Sequence, residues 1–289
     1  MPELPEVETV ARGLSHLEGR ILDSLEIFDD RVWFESEAGP DRLRGLRLEE
    51  VSRRGKYILF RFANGVTVVQ HLRMTGKMLA AGSRFVPRDV VEVANRRAGK
   101  GLQVRCAFRF DGAETWFFDT RRFGTLTLTF DEEKFFGAKR IAPDPIHEPE
   151  VAFSHFAGAL AKTRKPVKAA LLDQSIVAGV GNIYADEALF AAGIHPLRPA
   201  RNVEDPRKLW NAILRILEES IRQGGSTIRD YVSAEGKAGA YADSHVVYDR
   251  KGEPCRTCGT KIVRIVVGGR STHFCLRCQP ASSRRKNRA

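Results

Sequence analysis

Four cysteines spaced Cys255-x2-Cys258-x16-Cys275-x2-Cys278 constrain this chain more tightly than any other feature. Each Cys-x2-Cys knuckle aims two sulfurs at one tetrahedral ion, and two knuckles about this far apart make a four-thiolate zinc ribbon. Two disulfides are the alternative, which a reducing compartment disfavours. The stretch between the knuckles, Lys261 to Val267, Gly268-Gly269 and Arg270 to Phe274, reads as a hairpin that joins them. Four protein ligands leave no open coordination position, so the pattern implies one structural zinc ion per chain. The fifth cysteine, Cys106, reads as a buried strand residue.

A zinc ribbon is too small to explain 289 residues, which are enough for about two domains. Hydrophobic residues make up 43% and charged residues 29%, so a packed fold is expected rather than disorder. No apolar run approaches a membrane span, and Met1-Pro2-Glu3-Leu4-Pro5-Glu6 is not a signal peptide, which points to the cytoplasm and reduced thiols. The net charge is +11, and +9 of it lies from Val246 onward. Such a concentration calls for a polyanion, and without a basic amphipathic helix that polyanion is nucleic acid rather than a membrane surface.

The first half reads as antiparallel sheet behind one helix. Val7, Val10, Ala11, Leu14 and Leu17 recur at the spacing of one helical face before Gly19. Tyr57 to Phe62 and Val66 to Val69 flank Asn64-Gly65 as a hairpin, and Val104 to Phe110 and Thr115 to Phe118 flank Asp111-Gly112 as another, followed by a strand from Thr125. Between the hairpins, Ala80 to Gly101 reads as a long flexible loop. Ala142 to Pro149 carries three prolines and marks a hinge. Helices are expected over Glu150–Lys162, Pro166–Asp173 and Asn182–Gly193, and a fourth has Asp205 as N-cap, Pro206 as first residue and Gly224-Gly225 as its stop. The domain scheme is thus 1–141, a hinge at 142–149, a helical domain at 150–245, the finger at 246–280 and a disordered basic tail at 281–289.

Three landmarks together, the start Met1-Pro2-Glu3-Leu4-Pro5-Glu6-Val7, the segment Gly179-Val180-Gly181-Asn182-Ile183-Tyr184-Ala185 and the terminal four-cysteine finger, resemble the bacterial formamidopyrimidine-DNA glycosylase family. The resemblance implies an α+β fold: an N-terminal antiparallel β-sandwich with a flanking helix, then a helix-two-turn-helix domain ending in a four-Cys zinc β-hairpin. It also implies a monomeric base excision repair enzyme, acting in the bacterial cytoplasm at the nucleoid. Its partner would be damaged double-stranded DNA, with no membrane involved. Such an enzyme excises oxidised purines and then nicks the strand by β,δ-elimination.

Residue by residue, the resemblance makes Pro2 the nucleophile once Met1 is removed and Glu3 the acid-base carboxylate. Lys56 becomes the second essential lysine and Arg270 the finger arginine of the last elimination step. An α-amine titrates near pH ~8, so a useful neutral fraction exists at pH 7, unlike a free lysine near ~10.4. Flipping a base out of duplex DNA leaves a hole to fill. The loops His71-Leu72-Arg73-Met74-Thr75-Gly76 and Asp119-Thr120-Arg121-Arg122-Phe123-Gly124 resemble the family's wedges, with Met74 and Phe123 in the stack and Arg121 against the orphaned base. His71 is similar to a phosphate contact and Lys168 to a lysine near the lesion strand. Gly179 and Gly181 would free backbone N–H groups ahead of Asn182 for a phosphate cradle. Ser226 to Ala242 corresponds to the loop that reads the flipped base. Where the family commonly carries two histidines before the strand at Val104, this chain has Gly101-Leu102-Gln103.

Two other readings share some of these features. A related endonuclease VIII-type enzyme for oxidised pyrimidines would also carry Pro2, Glu3 and the finger, but Leu4 and the Met74, Arg121 and Phe123 set favour purines. A noncatalytic zinc-ribbon DNA-binding protein would not need Pro2, Glu3 and Lys56 together.

Overall fold

The computed structural model describes residues 1–80, 103–227 and 231–281. Of the loop expected over 80–101, Ala80 ends a strand and the rest lies outside the described residues, as does the basic tail expected over 281–289 beyond Ala281. The chain divides into two compact units, Met1–Lys139 with Ile221–Ala242, and Arg140–Ser220 with Asp243–Ala289.

The first unit begins with helix α1, Leu4–Leu14. Glu3 is its N-cap, and a capping box with Glu6 satisfies donors that a helix start leaves orphaned; the Glu3 N–H reaches Glu6 Oε2 at 2.8 Å. Two antiparallel four-stranded sheets follow. One runs β1 (Leu22–Ile27), β6 (Val104–Phe110), β7 (Ala113–Phe118), β5 (Lys77–Ala80); the other runs β2 (Leu48–Arg54), β3 (Tyr57–Phe62), β4 (Val66–His71), β8 (Thr125–Thr129). Val7, Val10 and Leu14 of α1 share one core with Leu22 and Phe108 of the first sheet and Phe60 and Leu128 of the second. The Phe60 and Phe108 rings stack at 4.9 Å, so the sheets form a sandwich. Both hairpins form as the sequence predicts, with Asn64 and Gly112 at positive φ in their turns. Cys106 is fully buried in β6, and burial pushes its thiol up.

Helix α2 (Glu132–Lys139) closes the contiguous part of this unit, and Arg61 of β3 holds Glu132 with Nε to Oε1 at 2.6 Å. The later stretch Ile221–Ala242 joins the same unit: the Ser226 N–H donates to Glu6 Oε1 at 2.7 Å, and Ala234 enters the sandwich core. The domain scheme read from sequence had this stretch inside 150–245. It is held to α1 by the Glu6 carboxylate, which also accepts the Glu3 N–H, and to β5 by the Ala80 N–H, which donates to the Ala234 carbonyl at 2.9 Å.

The second unit holds helices α3 (Pro149–Lys162), α4 (Val167–Leu172) and α5 (Asn182–Ala192), most of α6 (Pro206–Arg222), and the hairpin β9 (Val263–Val267) and β10 (Arg270–Phe274). Gly193 ends α5 in the left-handed region at φ 71°, and Asp205 caps α6 by accepting the Lys208 N–H at 2.9 Å. Among the described residues no helix is long and apolar enough to cross a membrane.

Candidate active site and DNA-binding elements

Pro2, Glu3 and the first turn of α1 are buried, Glu3 to 3% exposure. Lys56 lies on the β2–β3 turn and is also buried. That turn is tied to α1 by a buried ion pair, Arg53 Nε to Glu8 Oε2 at 2.8 Å, while another Arg53 nitrogen donates to the Gly55 carbonyl at 3.1 Å. Pro2, Glu3 and Lys56 therefore stand on elements joined by this ion pair and by the core that α1 shares with β2 and β3.

His71 ends β4 opposite Tyr57, whose ring meets it edge-on at 4.6 Å. Burial, with Arg73 and Lys56 nearby, lowers its pKa to about 3, so the ring is neutral. Its Nδ1 accepts the Arg73 N–H at 2.9 Å, which leaves the ring proton on Nε2 as a donor. A neutral donor still suits the phosphate contact expected of it.

The two loops expected to act as wedges come together, the Thr75 hydroxyl of one bonding Asp119 and the Arg121 N–H of the other. Met74 is 38% exposed and Phe123 53%, and the Arg121 guanidinium sits 5.0 Å over the Phe123 ring. Arg73 and Arg122, each just before an apolar tip, share a positive φ of 54° and 60°. A Cβ on Gly76 would collide with the Leu72 carbonyl, and one on Gly124 with the Phe117 ring, so both loops need glycine there. Sequence reasoning gave no role to Asp119, which the structure buries to 1% exposure between the loops. Its Oδ2 accepts the N–H groups of Phe123 (2.8 Å) and Gly124 (2.7 Å), and its Oδ1 accepts the Arg121 N–H and the Thr75 hydroxyl. An acidic residue opening a loop of exposed arginines was the available signal. Where the family's two histidines were expected, Gln103 accepts from Arg105 and, through its carbonyl, from the Asp119 N–H at 2.9 Å.

In the second unit, the phosphate cradle differs from the expectation. The Gly179 N–H is occupied by Gln174 Oε1 at 2.9 Å, because Gln174 folds back to brace this turn. Asn182 opens α5 as the sequence predicts, with Gly181 as the N-cap. Asn182 donates its side-chain amide to the Ser271 carbonyl at 2.9 Å, fastening the helix start to the hairpin. Lys168 is fully buried rather than displayed: Nζ reaches Asp186 Oδ1 at 2.6 Å and the Asn182 carbonyl at 2.7 Å. Asp186 Oδ2 in turn accepts the His273 N–H of β10 at 2.8 Å. A cation this deep needs such partners, so Lys168 organises the helix start instead of presenting charge at the surface.

The four cysteines converge. Their sulfurs all lie within 4.8 Å of one another, with Cys258 to Cys275 at 3.4 Å and Cys255 to Cys278 at 3.9 Å. A tetrahedral ion with Zn–S of about 2.3 Å places sulfurs about 3.8 Å apart, so the donor set fits one structural zinc. Gly268 and Gly269, at φ 57° and 75°, make the two-residue turn of the hairpin, and Arg270 stands exposed beside it with Lys261, Arg264 and Arg277 also exposed. Gln279 anchors the finger to the end of α5, bonding the Cys275 N–H and the Ile194 carbonyl.

Three family models match in order: the formamidopyrimidine-DNA glycosylase N-terminal domain over residues 1–126, its H2TH domain over 141–232, and the zinc finger found in FPG and IleRS over 252–281. The chain belongs to the formamidopyrimidine-DNA glycosylase family. It is 42% identical over 286 residues to the formamidopyrimidine-DNA glycosylase of Desulfitobacterium hafniense, covering 96% of this chain and 100% of that one. The Bacillus subtilis enzyme is 40% identical, with 96% and 99% covered. Among solved structures, the Fpg protein of Thermus thermophilus superposes with a TM-score of 0.81 at 38% identity, covering 98% of this chain and 100% of that one. A Lactococcus lactis FPG mutant in complex with Fapy-dG containing DNA gives 0.82 at 34%, with 96% and 100% covered. As a formamidopyrimidine-DNA glycosylase family member the chain is a DNA-binding base excision repair glycosylase and AP lyase with one structural zinc.

Proposed function

We propose that this chain, acting as a monomer on damaged duplex DNA, excises oxidised purines such as 8-oxoguanine and formamidopyrimidines through the amine of Pro2. Strand scission by β,δ-elimination follows. The observation that carries the reading is the buried Pro2-Glu3 pair at the start of α1, joined through Glu8 and Arg53 to the turn that bears Lys56. The Lactococcus complex with Fapy-dG containing DNA supports the substrate class.

Removal of Met1 exposes the Pro2 amine, which attacks the sugar carbon bearing the damaged base; the base leaves with the bonding electrons and takes up a proton. Glu3, the next residue, moves protons between the amine, the sugar oxygen and the departing base. Because proline is a secondary amine, the adduct is a permanently cationic iminium. That cation withdraws electrons from the sugar, makes the neighbouring C–H acidic and lets the phosphates leave. Lys56 assists base binding or elimination. Arg270, bare beside its two glycines, binds phosphate and completes the second elimination. Met74 and Phe123 fill the stack and Arg121 faces the orphaned base.

Incubation with an 8-oxoguanine:C duplex and borohydride tests this. A covalent protein–DNA complex should form, with the crosslink at Pro2 by mass spectrometry. No trapping by a chain with a processed N-terminus that binds the duplex overturns it.

A further inference from the structure

We propose that the Asp119 carboxylate, working with the Thr75 hydroxyl, fastens the two wedge loops into a single preformed tool, so that Met74, Arg121 and Phe123 enter the stack as one unit. The inference rests on the reading of those three residues as wedges and assigns Asp119 and Thr75 as positioning residues.

Several observations converge. The carboxylate is 1% exposed, and among the described residues its hydrogen-bond partners come from the loops themselves: Phe123 N–H and Gly124 N–H on Oδ2, Arg121 N–H and the Thr75 hydroxyl on Oδ1. Thr75 bridges in both directions, since its oxygen also accepts the Arg121 N–H at 3.2 Å. A buried carboxylate is a strong acceptor, and each such charge-assisted bond holds backbone more firmly than a neutral one. The second loop has an outer tether as well, Arg122 Nε to Asp29 Oδ2 at 3.4 Å. Arg105 donates through Nε to the Asp119 carbonyl at 2.7 Å, fixing the base of the loop. The three tips, by contrast, are exposed and carry the apolar and guanidinium surface that a stack would accept. Rigid backbone beneath exposed tips is what inserting a wedge requires, because ordering two loops at the moment of insertion would add an entropic penalty to the unstacking.

The chemistry of the carboxylate also supplies a clean variant. In Asp119→Asn one oxygen becomes an NH2 donor, which faces the Phe123 and Gly124 N–H groups in one amide orientation and the Arg121 N–H in the other. Thr75→Val is narrower: it removes only the cross-loop hydroxyl, and Thr75→Ser restores it.

Hydrogen exchange on the free, full-length, zinc-loaded protein tests the fastening without DNA. In Asp119→Asn, protection of the Phe123 and Gly124 N–H groups or of the Arg121 N–H, whichever face the new NH2, should fall about tenfold or more with the strands unchanged; retained protection at all three overturns the proposal. Single-turnover excision from an 8-oxoguanine:C duplex, with 2-aminopurine beside the lesion to report stack opening, tests the consequence. Excision and the fluorescence rise should both drop about tenfold in Asp119→Asn and Thr75→Val and recover in Thr75→Ser. Elimination at an abasic site in single-stranded DNA, which has no stack to open, should fall much less. An equal loss on both substrates, or full excision by Thr75→Val, overturns the proposal. If the unaltered chain cuts neither substrate, the glycosylase reading fails, while the exchange experiment still decides the fastening.

Discussion

The Arg53 guanidinium meets the Glu8 carboxylate at 2.8 Å with side-chain exposures of 0% and 7%, and this pair helps to hold the helix capped by Glu3 against the turn that carries Lys56. Burial pushes the Glu8 carboxyl up, but Arg53 and Arg12 outweigh it and hold the group below its ordinary 4.5. Glu8→Gln takes this carboxylate charge away from a buried guanidinium, so a loss of about 3–5 kcal/mol is expected in denaturant unfolding. The sign with pH follows from the lowered value. The pair contributes its stability above pH 4.5 and loses it as pH falls below, so the acid limb of the stability curve should flatten in Glu8→Gln. An unchanged acid limb rules the pair out as the source.

Replacing Pro2 separates binding from chemistry. Pro2→Gly keeps an α-amine in place but as a primary amine with a freer backbone, and binding to a damaged duplex should hold within about threefold while turnover falls at least a hundredfold. Retention of Met1 acylates the proline nitrogen and should be equally inert. Anisotropy with a fluorescent duplex and gel-resolved nicking measure the two quantities. Turnover by a chain with verified Met1 retention contradicts the assignment.

Much of the fold was legible because its signals are local. The Asn64-Gly65 and Asp111-Gly112 turns sit between alternating runs, and Asp205-Pro206 and Gly224-Gly225 bracket α6. Strands β1 and β2 escaped notice for a physical reason: register shifts at Leu22/Ser24 and Leu48/Glu50 break the alternation, leaving Leu22 with Leu25 and Leu48 with Val51 at a helix-like spacing. Strand β5 has four residues, too few for a period. At the site, the residues matching family motifs were readable one by one. The carboxylates that join distant segments were not: Glu6 meets Ser226 across 220 positions and Asp186 meets His273 across 87, and no local pattern announces such pairs.

Zinc removal should disable DNA binding without unfolding the sandwich. The finger's own core is small, Val247, Ile262, Cys255 and Cys275 with a few partly buried neighbours, so the metal–thiolate bonds supply what apolar burial does not. Arg270 and the exposed cations around it lose their scaffold with the ion. The sandwich keeps its separate core of Phe60, Phe108 and their neighbours. After chelation and metal analysis, duplex affinity should drop at least tenfold, while exchange protection in β3, β4, β6 and β7 persists. Unchanged affinity in a verified apo chain sinks the prediction.

His71 should make the protein acid-sensitive while leaving the phosphate contact proposed for it insensitive to pH near neutrality. Burial lowers its pKa to about 3, with Arg73 and Lys56 adding to the effect, against 6.5 when unfolded. The unfolded chain therefore binds the extra proton first, and stability supplied by the neutral ring is full above pH 6.5 and drains as pH falls toward 3. At pH 5 the deficit amounts to about 2 kcal/mol, from 1.36 kcal/mol per unit. His71→Gln, which keeps an acceptor for the Arg73 N–H and a donor beyond it, should remove that slope between pH 6 and 4 in urea unfolding. Duplex affinity of the unaltered chain, measured at constant salt, should show no inflection near 6.5 attributable to this residue, because the ring stays neutral on both sides of it. An inflection there that vanishes in His71→Gln means that the imidazole titrates in the free protein and contacts DNA as a cation.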